Sequence, residues 1–176
     1  MRTILMATLL TCATVGTLVA QSDPNPCPLH AQHMAAASHD HGTTVDQRGD
    51  AVMGFEHART THHFLLASDG GAIQVEANDP KDAESLAQIR GHLTQVAKAF
   101  STGDFEMPQK VHDRTLAGIP EMSHFKDAIS YRYEETERGA RVRITTTGPE
   151  ALKAVHEFLR AQIEDHKTGD PLTPAS

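Results

Sequence analysis

Apolar and polar residues alternate in two neighbouring stretches of the chain. Residues 61–67 predict one strand, and Ile73, Val75 and Ala77 share a face of a second strand. The Asp-Gly-Gly sequence at 69–71 lies between these stretches and is typical of a hairpin turn. We therefore expect an antiparallel β-hairpin over 61–77.

Apolar residues then recur at helical spacing. Asp79 supplies an N-cap and Pro80 fits the first helical turn, so together they predict a helix that begins here and stops by Gly103. The stripe that this helix is expected to bury contains Leu86, Ile89, Leu93, Val96, Ala97 and Phe100.

The second half of the chain repeats this order after a linker that contains Pro108, Gly118 and Pro120. Alternating residues predict two more strands, around a turn at 137–139, and Pro149 opens a second helix. The strands carry Ile129, Tyr131 and Tyr133, then Val142 and Ile144, and the helical stripe holds Leu152, Val155, Leu159, Ile163 and His166.

The predicted fold is α+β, with a four-stranded antiparallel sheet and both helices on one of its faces, in the order ββα-ββα. Three pairs of residues take matching places in the two halves: Gly71 and Gly139, Pro80 and Pro149, Leu93 and Leu159. These pairs suggest an internal duplication. Any two hairpin–helix units would share such features, so an unrelated origin stays open.

The segments that flank the predicted domain differ from it in composition. Residues 1–20 have a basic start, an apolar centre and small residues at the end, which predicts a signal peptide cleaved after Ala20; an uncleaved anchor is the alternative. Residues 21–52 predict a flexible, His-rich tail and residues 168–176 a frayed C-terminus, which leaves 53–167 as the α+β domain.

The charge of the chain restricts its partners. It has 16 basic and 23 acidic residues, and loss of Arg2 with the signal peptide leaves 15 basic residues and a formal charge of −8. This acidic balance argues against nucleic acid or an anionic membrane surface as a partner. We expect no stable membrane insertion after cleavage, and nothing in the sequence indicates an oligomeric state.

The predicted tail contains residues that bind soft and borderline metal ions. Thiolate and imidazole groups at short spacing can close on one ion. The alternative is a solubilising tail that binds metal adventitiously. The candidate ligands here are Cys27, His30, His33, His39 and His41.

A second group of histidines, His57, His62 and His63, lies in the predicted domain. Adjacent strand residues point to opposite faces, so His62 and His63 cannot both enter one core. A turn can bring His57 next to His62 around a tetrahedral or square site. The metal expected is copper before zinc, because methionines lie near many of the histidines; a b-type haem is less favoured. Ordinary half-buried histidines are the alternative.

The stretch from Gly54 through Asp79, centred on the Thr-Thr-His-His-Phe sequence at 60–64, resembles small exported bacterial proteins of no established activity. The similarity extends through residues 160–170. The resemblance implies a periplasmic or secreted setting and transfers no catalytic residue.

These features lead to one main hypothesis and two alternatives. The main hypothesis is an exported protein that binds a transition metal for metal handling, at His57 with His62 or His63, and uses its tail for capture. The first alternative is a small metal-dependent or acid/base enzyme with Glu56 as general base. The second is a small-ligand-binding module between sheet and helices, in which the histidines are incidental.

Overall fold

The computed structural model describes residues 45–174, and these form four strands and five helices. Helix α1 covers residues 45–53 of the described chain. Two short 3-10 turns, His57–Arg59 and Lys126–Ala128, precede β1 and β3. The other elements are β1 Thr60–Ala67, β2 Gly70–Ala77, α2 Ala83–Ser101, α3 Glu106–His112, α4 Ile119–His124, β3 Ile129–Thr136, β4 Gly139–Thr146 and α5 Pro149–His166.

The four strands form one antiparallel sheet in the order β1-β2-β4-β3. The return strand of each hairpin therefore lies at the centre, and β1 and β3 are the edges. Helices α2 and α5 pack on the same face, where buried residues of both helices and of all four strands form one core. The α+β fold predicted from the sequence is confirmed.

Glycine begins each central strand because the chain has no room there for a side chain. At Gly70 the backbone has φ 145°, and a Cβ would collide with the carbonyl oxygen of Ile144. At Gly139 a Cβ would collide with the carbonyl oxygen of Val75. These close approaches allow β2 and β4 to pair directly after their turns.

The two long helices bury the predicted stripes, but one of them begins later than predicted. The N-cap of α2 is Asp82, whose carboxylate accepts a hydrogen bond of 3.1 Å from the backbone N–H of Ser85. The prediction of Asp79 as N-cap is wrong, and Pro80 precedes the helix instead of opening it. Helix α5 begins at Pro149, as predicted.

The predicted linker contains two helices that its proline and glycine content concealed. Pro108 lies inside α3, and Gly118, with φ 81°, is the N-cap of α4. The segment also contributes to the core, because Leu116 and Met122 are only 1% and 0% exposed. It is therefore part of the domain.

The folded region extends past both predicted boundaries. Helix α1 lies within the segment predicted to be a flexible tail, and Val45 is fully buried. At the other end, Asp170 accepts a hydrogen bond of 2.9 Å from the backbone N–H of Phe64. The predicted bounds are therefore wrong at both ends: residues 45–52 belong to the fold and not to a flexible tail, and residues 168–170 are not frayed. The predicted signal peptide and most of the tail lie outside the described residues.

Among residues 45–174, no helix is both long and apolar enough to span a lipid bilayer.

Each long helix packs mainly on the hairpin of the other unit. Helix α2 contacts β3 and β4 most extensively, whereas α5 contacts β1 and β2. This exchange brings the C-terminal end of α5 over the edge strand β1.

Candidate functional site

His57 lies between α1 and β1, and a hydrogen bond from its backbone fixes it there. Helix α1 is followed by Gly54 in a left-handed conformation, φ 79°, and the chain then enters the 3-10 turn that contains His57. The backbone N–H of His57 donates a hydrogen bond of 2.7 Å to Asp50 Oδ1. Gly49 leaves room for the ring, since a Cβ there would lie 3.3 Å from His57 Cε1. The imidazole therefore lies against α1.

His62 and His63 follow each other on β1 and point to opposite faces of the sheet. His62 faces the helices and is 8% exposed. His63 Nδ1 lies 2.9 Å from Asp170 Oδ1, next to the C-terminal segment. Of the two neighbours, His62 is the one that approaches His57.

His166, in the last turn of α5, completes a group of near-parallel rings. The ring centroids of His57 and His62 are 4.5 Å apart with an interplanar angle of 9°. His166 lies 5.5 Å from His57 and 6.0 Å from His62, at interplanar angles of 4° and 5°. We call His57, His62 and His166 the histidine stack.

A carboxylate from α1 approaches the outer side of the stack. Asp46 Oδ1 lies 3.5 Å from His57 Nε2. Asp46, His57 and His166 each offer one ligand atom, and these three atoms lie within 4.8 Å of one another. We call these residues the donor cluster. The Asp46 side chain is 49% exposed, so the cluster can be reached from solvent.

The stack contains several buried ring nitrogens that have no hydrogen-bond partner among the described residues. They are His57 Nδ1, which lies 3.5 Å from Asp50 Oδ1 without a hydrogen bond, His166 Nδ1 and both nitrogens of His62. A buried polar atom without a partner costs about 1–3 kcal/mol, and native proteins contain few of them. Four such atoms in one place are unusual, and they make this region a candidate binding site.

The buried histidines are held in their neutral form. Burial lowers the pKa of His62 well below its usual range, and the nearby His57 and His166 lower it further. Burial lowers the pKa of His166 to about 3 and that of His92 to about 4, with His112 and His57 adding to the effect on His166. A neutral imidazole has a lone pair on one nitrogen, which is what metal coordination needs.

His112 touches the stack but is already bonded at both ring nitrogens. Its Nδ1 lies 2.8 Å from Asp165 Oδ2, and its Nε2 lies 3.0 Å from Gln162 Oε1. Burial lowers its pKa, although Asp165 acts in the opposite direction. The ring packs edge-on against His166 at a centroid distance of 5.0 Å. His112 therefore supports the position of His166.

Two further histidines in the described chain have roles outside the cluster. His156 Nε2 lies 2.9 Å from the carbonyl oxygen of Ala67, beside the first hairpin turn. His124 is exposed and packs on Phe125, whereas Met122 is completely buried. These two side chains therefore do not form a local metal site together.

A cavity of ≈ 70 Å³ lies behind the stack, between the sheet and the helices. Histidines from four elements line it: His62 from β1, His92 from α2, His112 from α3 and His166 from α5. Met53 and Met107 contribute thioethers, and the remaining wall is largely apolar. Four of the described histidines therefore meet at one cavity.

The structure assembles only part of the site predicted from the sequence. It brings His57 next to His62, and it places His63 on the other face of the sheet. Glu56 is exposed, and the carboxylate that meets the histidines belongs to Asp46. Outside the described residues lie Cys27, His30, His33, His39 and His41.

Two residues of the donor cluster were missed in the sequence. Asp46 falls in the segment predicted to be a tail, and nothing in the sequence connects it with the domain. His166 ends the predicted stripe of the second helix, and this position is the one sign in the sequence that its ring turns inward. No spacing rule connects either residue with His57.

With this geometry in hand, known proteins offer no parallel. No family model, curated protein or solved structure matches the chain. Function is therefore inferred from the side chains themselves.

Proposed function

We propose that this protein is an exported metal-binding protein whose domain holds a transition-metal ion at Asp46, His57 and His166. The observation that supports this proposal is the donor cluster itself, three ligand atoms within 4.8 Å of one another. His57 and His166 each have a buried ring nitrogen without a hydrogen-bond partner, and the low pKa of His166 leaves a lone pair available for coordination. Copper or zinc handling is the role that this site fits, and it needs no catalysis.

The size of the cluster fits a first-row metal ion after a small closure. Ligand atoms at 2.0–2.1 Å from one ion lie at most about 4.2 Å apart. The donor atoms, now up to 4.8 Å apart, must approach by about half an ångström or more. Rotation of an imidazole about its last torsion, which has a broad energy minimum, supplies a movement of this size.

The donor types favour copper before zinc. Two imidazoles and a carboxylate bind Cu(II) more tightly than the other divalent first-row ions, as the Irving–Williams order requires. The thioethers of Met53 and Met107 line the cavity behind the stack, and such groups suit Cu(I). Haem is not favoured, because a cavity of ≈ 70 Å³ is far below the roughly 300 Å³ or more of pockets for large ligands.

Export and metal capture by the tail are the remaining parts of this proposal. They rest on the sequence alone: the signal-like residues 1–20, the acidic charge, and the cysteine and histidines between residues 27 and 41. A tail of this kind would collect the ion next to α1, the helix that carries Asp46.

A test has to separate the domain from the tail, because a His-rich tail binds metal by itself. The protein for this test is the untagged mature chain with Cys27 changed to Ser and the four tail histidines changed to Gln. Elemental analysis is expected to give close to one metal ion per chain. Competition titration then measures affinity for Cu(II) and Zn(II).

Single substitutions in this background assign the ligands. Asp46→Asn and His57→Gln are each expected to weaken Cu(II) binding by about 100-fold or more, because loss of a ligand exceeds the 10–100-fold effect of outer-shell changes. His124→Gln is the matched control, since His124 is exposed and outside the cluster. Equal affinity in all three variants would contradict the proposed site.

The small-ligand alternative gains one supporting observation, whereas the enzyme alternative with Glu56 as base gains none. A cavity does lie between the sheet and the helices, as a ligand-binding module requires. Histidines line it, however, so they are not incidental to it. The cavity and the proposed metal site share His166, so they adjoin each other.

A further inference from the structure

We infer that the cavity behind the histidine stack admits a small exogenous ligand of two or three heavy atoms, which binds the metal on its inner side and is held there by His62. This inference rests on the proposed metal site and deepens it. It concerns which external ligand fills the open coordination position of the ion, and affinity for metal alone does not answer this.

The first step is the number of protein ligands. The donor cluster supplies three atoms. Zinc and copper take four or more ligands, and two histidines with one carboxylate form an arrangement known for leaving positions open. A metal at this cluster therefore has at least one position to fill from outside the protein.

The second step is the direction of the open position. His166 belongs to the donor cluster and also lines the cavity. Asp46 approaches from the solvent side of the stack, with half of its side chain exposed. The cavity therefore lies on the inner side of the cluster, opposite to the solvent side from which the ion arrives.

The third step is size. One water molecule needs about 10–15 Å³ of cavity volume, so ≈ 70 Å³ holds at most about five to seven atoms of that size. An apolar cavity of about 150 Å³ is needed for benzene. The occupant is consequently smaller than an aromatic ring. A diatomic molecule or a linear triatomic anion meets this limit.

The fourth step is recognition. His62 is not one of the three clustered donors, yet both of its ring nitrogens are buried and lack hydrogen-bond partners. An imidazole carries at least one ring N–H, which His62 can donate to a ligand on the metal. Phe64 and Val96 give the cavity apolar walls that favour a weakly hydrated ligand. A divalent ion bonded to one carboxylate has a net charge of +1, which a monoanion would neutralise; Asp50, 3.5 Å from His57 Nδ1, is a second carboxylate nearby that is not bonded to the ion.

Azide is the probe of choice, because it is a linear triatomic monoanion. The mature protein with the substituted tail is loaded with Cu(II), and azide is added while the charge-transfer absorption and the electron paramagnetic resonance spectrum are recorded. Saturable binding is expected. Sulfate, a larger dianion, is expected to cause no change at the same concentration.

Two variants locate the azide. His62→Leu removes the hydrogen-bond donor and is expected to weaken azide binding by about tenfold or more, with metal still stoichiometric at saturating loading. Val52→Phe fills the cavity from a half-buried position on α1 and is expected to abolish azide binding. Because Val52 is not in the core, this variant is expected to fold; His124→Gln is the control for both.

The outcomes separate this inference from the metal site. Stoichiometric Cu(II) with azide binding that both variants weaken supports the inference. Stoichiometric Cu(II) with no azide response, or with a response that neither variant changes, overturns it and leaves the metal site intact. Failure to bind Cu(II) overturns both.

Discussion

The two hairpin–helix units place different chemistry at equivalent positions of one scaffold. His62 is the third residue of β1 and pairs with Val75, whereas Tyr131 is the third residue of β3 and pairs with Ile144. The helix that covers each strand ends in a ring. His166 lies 6.0 Å from His62, and Phe100 lies 5.7 Å from Tyr131.

We call the region around Phe100 and Tyr131 the aromatic end of the domain, and the region around His62 and His166 the imidazole end. The two ends contribute differently to stability. At the aromatic end, Phe100 packs on Phe105 and Phe158, at centroid distances of 4.5 and 5.9 Å, and buries hydrocarbon. At the imidazole end, four buried ring nitrogens lack partners, as against the single hydroxyl of Tyr131. One end of the sheet therefore supplies stability, whereas the other carries unpartnered nitrogens at the site that we propose for a metal ion.

The aromatic end is expected to show the larger response when its ring is removed. Phe100 is 2% exposed, so Phe100→Ala is expected to lower the free energy of unfolding by about 3–5 kcal/mol. Urea denaturation measures this loss, and Phe125→Ala, at a half-buried position, is the control with a smaller loss. Affinity for Cu(II) in the folded protein is expected to stay unchanged. A loss below about 1 kcal/mol would contradict the stabilising role of this end.

The imidazole end is expected to lose function and gain stability when it is made aromatic. His166→Phe removes a proposed metal ligand, so Cu(II) affinity is expected to fall by about 100-fold or more. The same change removes an unpartnered nitrogen, so the metal-free protein is expected to gain about 1 kcal/mol of stability. Competition titration and urea denaturation measure the two effects, with His124→Phe as control. A variant that keeps its affinity would exclude His166 as a ligand.

Acid is expected to destabilise the imidazole end of the metal-free protein. The pKa of His92 is about 4 and that of His166 about 3, against about 6.5 for unfolded histidine. Below pH 6.5 these histidines take up protons in the unfolded chain but not in the folded chain. Stability is therefore fully present above pH 6.5 and falls as pH decreases, by about 1.4 kcal/mol per pH unit for each such histidine.

Urea denaturation between pH 7 and 5, with chelator present, measures this slope. His166→Phe is expected to reduce the slope by the share of one histidine, about 1.4 kcal/mol per pH unit. The exposed His124 serves as control, because His124→Gln should leave the slope as it is. Identical slopes in the wild type and in His166→Phe would show that His166 is not held neutral.

The fold was predictable because its main signals are local. Alternation over 61–67, the glycines at the turns, and Pro149 act within a few residues of the structure they determine. The misses have equally local causes. Pro108 and Gly118 indicated a linker, yet each lies within or at the start of a short helix that buries apolar residues in the core.

The candidate site was predictable only in part because it depends on tertiary packing. Strand alternation correctly separated His62 from His63, but it could not tell which of them faces the helices. Asp46 and His166 meet because α5 packs over the hairpin of the other unit. No local pattern encodes that exchange, and it brings together residues from opposite ends of the domain.

The hydrogen bond between Asp170 and Phe64 protects an edge strand of the sheet. An outer strand with free amide groups invites other chains to extend the sheet, and this is a common start of fibrillar aggregation. On β1, the carboxylate of Asp170 accepts a hydrogen bond from the backbone N–H of Phe64, so this N–H cannot pair with another chain. On the opposite border, Arg132 and Glu134 form an ion pair of 2.6 Å on β3, and such charges deter stacking. A protein shortened before residue 168 would lose the first of these safeguards and become prone to polymerise along β1.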